Sequence, residues 1–327
     1  MTGPGPDVFT FGETMVALRG GPLRQGGTME VSVEGAESNV AIGLARLGHS
    51  VRWAGAVGED EAGELVLRTL RAEGVDVSGA SLDEGGAPTG LMLAEPRPPE
   101  LGRVRSRAGS AGSAGSRLKA CSVERAFTAA RPKVLHLTGI TPALSRSARS
   151  AATVALRLAA EHSALVCLDV SFRAGLWDGE EAAAVLREWA PSVDVLIAWD
   201  GELPLCLPPG GPADPAGQAR ELTALGVGEV VVKLGAAGAT AYAEDGSAVH
   251  APARAVDAVD AVGTVGAGDA FVAGYLSGLL DGLTAAGRLD RAVTAGAFAA
   301  ASPGDWEGAP TRAELGLPPA PATTPAP

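Results

Sequence analysis

Cysteine and histidine are scarce in this 327-residue chain, and neither falls into a metal-binding or disulfide spacing. The cysteines Cys121, Cys167 and Cys206 are an odd number without a Cys-x-x-Cys pair, which argues against a disulfide framework and a structural zinc site. The four histidines are scattered along the chain and form no His-x-x-x-His pattern. We therefore expect no metal centre built on cysteine or histidine.

Positive charge is also scarce, because the chain has 26 Lys and Arg residues but 38 Asp and Glu residues, which gives a net charge of −12. A nucleic-acid binder needs a basic surface to displace counterions, and docking on anionic membranes needs one too. No apolar stretch reaches the ~18 residues of a membrane-spanning helix. The first residues also lack the basic start and apolar run of a signal peptide. We predict a cytoplasmic protein with a small-molecule substrate and no nucleic-acid or membrane partner.

Aromatic residues make up only 4% of the chain, so the core must be built from Ala, Val and Leu. From residue 119 onward, short apolar runs alternate with segments of helical period. Such runs are typical of strands buried on both faces, and the alternation predicts a parallel sheet with crossover helices. The predicted strands are Lys133–Thr138, Ala164–Val170, Val193–Ala198 and Glu229–Leu234, and the helices before them are 119–130, 147–161, 180–189 and 214–225.

The N-terminal part has strands that are not each followed by a helix. Strands from about residues 8–35 and 85–110 are expected to form a small separate sheet. Residues 96–117 are rich in Pro, Gly, Ser and Arg and predict a mobile, exposed segment, with a short strand near 103–107. We further predict one strand over Val51–Val57, a hairpin over 239–249 and helices at 35–48, 60–72, 267–282 and 287–302. A single domain is expected over 7–316, followed by a disordered Pro/Ala-rich tail over 318–327.

The segment Gly263-Thr-Val-Gly-Ala-Gly-Asp-Ala-Phe271 is the sharpest chemical feature. A Gly-rich turn that leads into a helix directs free backbone N–H groups and the positive end of the helix dipole into one space, which suits a phosphate. Asp269 lies in the first turn of this helix, where it could accept a proton from an attacking hydroxyl. Equally, the glycines could form a tight turn and Asp269 could cap the helix. Neither a dinucleotide-binding fingerprint nor a P-loop is present.

This segment resembles the C-terminal signature of the ribokinase-like (PfkB) carbohydrate kinases. Other stretches resemble further motifs of that family, in the same order, over roughly residues 7–316. They are Gly35-Ala-Glu-Ser-Asn-Val-Ala-Ile-Gly-Leu-Ala-Arg-Leu-Gly48, Val57-Gly-Glu-Asp-Glu-Ala-Gly63, Val231-Val-Lys-Leu-Gly-Ala-Ala-Gly238 and Gly304-Asp-Trp-Glu-Gly-Ala-Pro310.

The resemblance implies an α/β fold: a doubly wound, mostly parallel sheet flanked by helices, with a small β-sheet lid. It also implies transfer of the γ-phosphoryl group of ATP to a sugar hydroxyl, with Mg²⁺. By the same resemblance, Asp269 would be the general base, and the backbone N–H groups of Gly266, Ala267, Gly268 and Asp269 would form an anion hole. The nucleotide would lie along Lys233, Gly235, Gly238 and Thr264, and Glu202 would serve the metal.

Within the family, the chain is most similar to 2-keto-3-deoxygluconate kinases, through Phe11-Gly-Glu-Thr14, Arg103-Val-Arg-Ser-Arg-Ala-Gly-Ser-Ala111 and Asp169-Val-Ser-Phe-Arg-Ala-Gly-Leu-Trp177. This likeness implies that Gly35 and Asn39 bind sugar hydroxyls. It implies that Arg107 and Arg173 bind the acid end of the substrate, which suits a guanidinium fork. Fructokinase, ribokinase and nucleoside kinase activities stay open as alternatives.

Two departures from the family pattern favour a second hypothesis. Gly263 stands where the family has Asp, and Trp199 stands where the family's metal-linked motif has Asn. Both changes fit a kinase-like protein that binds its ligand and turns over poorly. The resemblance further implies that a homodimer could form through the lid.

Overall fold

The structure is a computed structural model that describes residues 5–95, 112–255 and 266–319, together with the backbone of residues 104–108. Its strands are β1 (Val8–Phe11), β2 (Met15–Arg19), β3 (Glu30–Glu34), β4 (Val51–Ala54), β5 (Ala56–Val57), β6 (Ser81–Leu82), β7 (Leu91–Glu95), β8 (Val104–Ala108), β9 (Val134–Thr138), β10 (Leu165–Asp169), β11 (Val195–Trp199), β12 (Glu229–Lys233), β13 (Ala239–Ala243) and β14 (Ala248–Ala251). Its α-helices are α1 (Ala36–Arg46), α2 (Glu61–Ala72), α3 (Ala120–Ala130), α4 (Thr141–Leu144), α5 (Arg146–His162), α6 (Gly179–Trp189), α7 (Pro215–Ala224), α8 (Ala267–Leu280) and α9 (Ala285–Ala300).

The central sheet has eight strands in the order β14-β13-β12-β11-β10-β9-β1-β4. The strands from β12 to β4 are parallel, and the β13–β14 hairpin is antiparallel at one edge. Alternate strand residues enter two different cores. Leu135 and Leu137 pack with α3, α5, α6 and α7, whereas Val134 packs with α1, α2, α8 and α9. The predicted doubly wound, mostly parallel sheet is confirmed.

A separate four-stranded sheet, in the order β3-β2-β7-β8, forms the lid. The range predicted for its first strands begins too early, because β1 lies inside the central sheet. There, Val8 pairs with Val51 on one side and with Val134 on the other. The strand predicted over Val51–Val57 is also divided, into β4 and β5. β5 pairs with β6 rather than with the central sheet, and Gly55, between β4 and β5, lies so close to the Trp53 ring that a side chain there would overlap it.

The expectation of an exposed segment over residues 96–117 is wrong for its last part. Ser113, Ala114, Gly115 and Ser116 are buried, since the Ser113 hydroxyl donates to the buried carboxylate of Glu13 at 2.5 Å. The strand expected near residues 103–107 is present as β8. Residues 96–103 and 109–111, and 320–327 of the predicted tail, lie outside the described residues. Within the part that is described, no helix is long and apolar enough to cross a membrane.

Candidate active site

The N-terminus of α8 brings the predicted anion-hole residues together. Gly266 precedes the helix with a φ of 81°, in the left-handed region that favours glycine. A side chain here would overlap the carbonyl oxygen of Asp305, so both the φ angle and the close approach require glycine. Ala267, Gly268 and Asp269 form the first turn, where backbone N–H groups have no partner within the helix. This end of the helix can therefore accept an anion.

The Asp269 carboxylate is held by α1. Asn39 Nδ2 donates a hydrogen bond of 2.8 Å to Asp269 Oδ2. The pKa of Asp269 is raised to about 7, mainly by burial and also by the negative charges of Asp169 and Asp305, although the hydrogen bond from Asn39 and the charge of Lys233 act to lower it. A carboxyl group with a pKa near neutrality can take up a proton during a reaction and release it afterwards.

A buried ion pair lies beside this turn. Lys233, at the end of β12, places Nζ 2.8 Å from Oδ1 of Asp169, at the end of β10. Both side chains are at most 4% exposed, and Ser171 Oγ donates to the other oxygen of Asp169 at 2.8 Å. The ammonium lies 3.9 Å from the position that a Cβ of Gly268 would occupy. A fixed positive charge thus stands next to the helix N-terminus.

Two clefts meet at Lys233, Trp199 and Gly268. The larger cleft, of about 800 Å³, lies under the lid, which contributes Met15 and Met92. Of the residues predicted to serve the sugar and the reaction, the cleft is lined by Gly35, Asn39, Arg173, Gly266, Gly268 and Asp269. The exposed Arg173 reaches this cleft and donates to the carbonyl oxygen of Phe172 at 3.2 Å. The roles of these residues in binding and catalysis stay predictions.

The smaller cleft, of about 330 Å³, lies on the other side of the same helix end and is mostly apolar. Lys233, Gly235 and Gly238, which were predicted to bind the nucleotide, line it together with Ala267. Trp199 lines both clefts, and the centre of its ring lies 5.3 Å from Lys233 Nζ. Thr264, predicted to bind the nucleotide, lies outside the described residues, as do Gly263 and the side chain of Arg107.

Glu202, predicted to serve the metal, lines neither cleft. Its carboxylate accepts hydrogen bonds from the backbone N–H groups of Phe172 at 2.8 Å and Trp199 at 2.9 Å. Burial raises its pKa, with the charge of Asp169 adding to the effect. Glu202 therefore joins the loops that follow β10 and β11. In the described part of the chain, no three acidic, histidine or cysteine side chains converge as a metal site.

Sequence reasoning assigned no role to several carboxylates at this site. Asp169, Glu34 and Asp305 all line the larger cleft. A signal existed for Asp169, which ends an apolar strand of a parallel sheet, because ligands bind at the carboxyl ends of such strands. Asp305 lies in the family-like segment Gly304–Pro310, although the resemblance gave it no role, and no comparable signal marked Glu34.

Comparison with known proteins agrees with this arrangement. Residues 6–312 match the family described as pfkB family carbohydrate kinase. The 2-dehydro-3-deoxygluconokinase of Bacillus subtilis is 34% identical, and the alignment covers 94% of this chain and 94% of that protein. The 2-dehydro-3-deoxygluconokinase of Thermoproteus tenax is 36% identical, and the alignment covers 94% of this chain and 92% of that protein. A protein of E. coli solved in complex with ATP and Mg²⁺ is 25% identical, with a TM-score of 0.83 over 93% of this chain and 96% of its own. The chain belongs to the PfkB family of carbohydrate kinases, and it is a sugar kinase, a phosphotransferase.

Proposed function

We propose that this enzyme transfers the γ-phosphoryl group of MgATP to a hydroxyl of 2-keto-3-deoxygluconate or a related sugar acid. The observation that carries the proposal is Asp269, which lines the lidded cleft at the N-terminus of α8, while Ala267 and Gly268 of the same turn line the second, apolar cleft. Its pKa of about 7 suits a general base at neutral pH.

In the proposed reaction, the sugar lies in the larger cleft with one hydroxyl at Asp269. The hydroxyl gives its proton to the carboxylate as its oxygen forms a bond to the γ-phosphorus, and the bond from that phosphorus to the β-phosphate oxygen breaks to release ADP. The N–H groups of the α8 N-terminus and the Lys233 ammonium neutralise charge on the transferred group. Asn39 keeps the carboxylate aimed at the hydroxyl by its hydrogen bond.

The smaller cleft is proposed to hold the nucleotide. Its apolar lining suits a base, and its inner end reaches Lys233 and Gly268, where the phosphates would meet the helix N-terminus. Mg²⁺ would enter as part of MgATP, because this ion is commonly bound by one or two carboxylates together with substrate phosphates. The carboxylates that line the larger cleft could supply these one or two ligands without a metal site built entirely from protein groups. A metal role for Glu202 remains part of the proposal, alongside its hydrogen bonds to the backbone.

The charge feature that supports an acidic substrate is a cation at the larger cleft. Glu34, Asp169, Asp269 and Asp305 also line this cleft and would repel an anion, so an anionic substrate would need a cation placed locally. Arg173 stands exposed at that cleft and offers its guanidinium. Arg107 is proposed to join it. The two similar 2-dehydro-3-deoxygluconokinases favour the same class of substrate.

The test is ADP release with MgATP against 2-keto-3-deoxygluconate, fructose, ribose, nucleosides and sugar phosphates. We expect turnover with the keto-sugar acid, and Asp269→Asn to lower it by ~10²-fold or more, as loss of a general base requires. The control is Asp178→Asn, which changes the N-cap of α6 away from both clefts and retains a good cap residue. Turnover of fructose or ribose instead would reject the acidic substrate. ATP binding without turnover of any sugar would favour the alternative of a weakly active binding protein.

A homodimer through the lid is also proposed. The lid face opposite the cleft carries Leu18, Val31, Leu91 and Leu93, and Val31 and Leu91 are 56% and 38% exposed. This apolar face supports contact with a second copy of the chain. The cytoplasmic location stays a prediction.

A further inference from the structure

The Glu307 carboxylate, in the segment after α9, accepts hydrogen bonds from two parts of the fold at once. Its Oε1 accepts from Arg19 Nη1 at 2.8 Å and from Ser32 Oγ at 2.5 Å. Arg19 ends β2 and Ser32 lies in β3, so both donors belong to the lid. Its Oε2 accepts from the backbone N–H groups of Asp305 at 2.8 Å and Trp306 at 3.1 Å. One side chain therefore bridges the lid and the turn at residues 304–307.

The same turn touches the start of α8. The carbonyl oxygen of Asp305 packs directly against Gly266, so closely that no side chain fits there. Trp306 Nε1 donates to the carbonyl oxygen of Val33 in the lid at 3.0 Å. Arg46, at the end of α1, also stabilises this turn, because its guanidinium donates hydrogen bonds to the carbonyl oxygens of Trp306 and Glu307 at 3.2 and 3.0 Å. A continuous series of contacts therefore connects the lid with the first turn of α8, which carries Asp269.

We propose that Glu307 is a positioning residue for phosphoryl transfer: its carboxylate fixes the lid, which covers the sugar, relative to the α8 N-terminus, which carries the general base and the anion hole. The inference rests on the proposed function of those two parts. Transfer requires the sugar hydroxyl, Asp269 and the phosphoryl group to be aligned, and a misplacement of about 1 Å can cost ~10²-fold in rate.

From the charges around Arg19 we expect that this link can be cut without unfolding the protein. Besides Glu307, the Arg19 guanidinium lies 3.6 Å from Asp305 and 4.0 Å from Glu34. When Glu307 becomes neutral, Arg19 therefore keeps two carboxylates nearby and is not left as an uncompensated charge. The main loss is the fixed geometry between the lid and residues 304–307, so we expect catalysis to suffer more than stability.

The kinetic test compares Glu307→Gln with Glu314→Gln. Glu314 is a matched control because it is an exposed glutamate in the same C-terminal segment, whose carboxylate accepts hydrogen bonds from Thr311 nearby. We expect Glu307→Gln to lower kcat about tenfold, the effect of losing one charged hydrogen bond, and to leave the KM for MgATP within about twofold. Arg19→Lys, which removes the fork that reaches Glu307, is expected to reproduce the pattern. Unchanged kcat in both variants would overturn the proposal, and so would an equal loss in Glu314→Gln.

A second readout does not depend on activity. Hydrogen exchange of backbone amides in β2, β3 and the first turn of α8 is compared between the wild-type protein and Glu307→Gln, at a temperature where both are folded. We expect exchange about tenfold faster in these three elements, with β9, in the central sheet, unchanged. Uniformly faster exchange would mean a general loss of stability and would overturn the positioning role. If no sugar is phosphorylated but this local pattern is found, the proposed function fails while the mechanical link stands.

Discussion

Asn39 Nδ2 lies 2.8 Å from Asp269 Oδ2, which joins the first helix of the fold to the helix that carries the proposed base. This hydrogen bond affects the ionisation of Asp269 as well as the packing of the two helices. A donor to a carboxylate favours its charged form, so this hydrogen bond lowers the pKa of Asp269 and partly offsets the burial that raises it; the net pKa is about 7. Asn39 thereby helps to keep the carboxylate available as a base near neutral pH.

Removing this donor is expected to shift the pH dependence of the enzyme. In the wild-type protein, kcat/KM should rise with pH through about 7, because the base must be ionised to accept a proton. Asn39→Ala removes an interaction that lowers the pKa, so the midpoint should move to higher pH. The measurement is kcat/KM for the sugar from pH 5.5 to 9, with Ser38→Ala, which alters the neighbouring residue of α1, as the control. A midpoint that stays in place or falls would contradict this role of Asn39, whatever happens to the KM.

The buried pair Asp169–Lys233 predicts a second result. Lys233→Met leaves the Asp169 carboxylate buried without its cation, and removing one partner of a buried ion pair costs ~3–5 kcal/mol. We expect the double variant Asp169→Asn/Lys233→Met to recover most of this stability, because no charge is then left unpaired. It should not recover activity, since the ammonium beside Gly268 is absent in both variants.

Denaturant unfolding of both single variants and the double variant measures the coupling, and ADP release measures the activity. Lys233→Arg is the control, because it keeps the charge. If the double variant were as active as the wild-type protein, Lys233 would have no part in transfer. If the single variants were as stable as the wild-type protein, the pair would not be a coupled buried charge.

Most of the central sheet was predictable because its signals are local. Val230, Val231 and Val232 make β12 apolar on both faces, and a glycine turn follows the strand; such patterns need no knowledge of the rest of the chain. The assignment of β1 to the lid was wrong because strand pairing is not local. Val8 pairs with Val134, a partner that hydrophobic pattern alone cannot identify.

The same limit applies to packing and to the site. Ser113 resembles a loop residue in sequence, yet it is buried and its hydroxyl donates to Glu13, which is 100 positions away in the chain. Resemblance to the family singled out both Asn39 and Asp269, but not the hydrogen bond between them. The family-like segment Gly304–Pro310 contains Glu307, but the segment could not reveal its proposed role, because its hydrogen-bond donors Arg19 and Ser32 come from the far end of the chain. Residue types in a motif can be predicted from sequence, whereas contacts that set a pKa or an alignment require the fold.

A substitution at Gly266 should separate the effect of backbone strain from the effect of a steric clash with Asp305. Gly266→Ala places a side chain at a φ of 81° and also against the carbonyl oxygen of Asp305. Gly282 is a matched control, since it has a φ of 73° and nothing within 4 Å of the added carbon. Gly282→Ala should therefore cost only the ~1–2 kcal/mol of a left-handed non-glycine residue and leave kcat unchanged. Gly266→Ala must also displace the turn at Asp305 or the start of α8, so we expect kcat to fall ~10²-fold at a temperature where the protein is folded. Equal kinetic effects of the two variants would show that the close packing of Asp305 on Gly266 does not matter for the reaction.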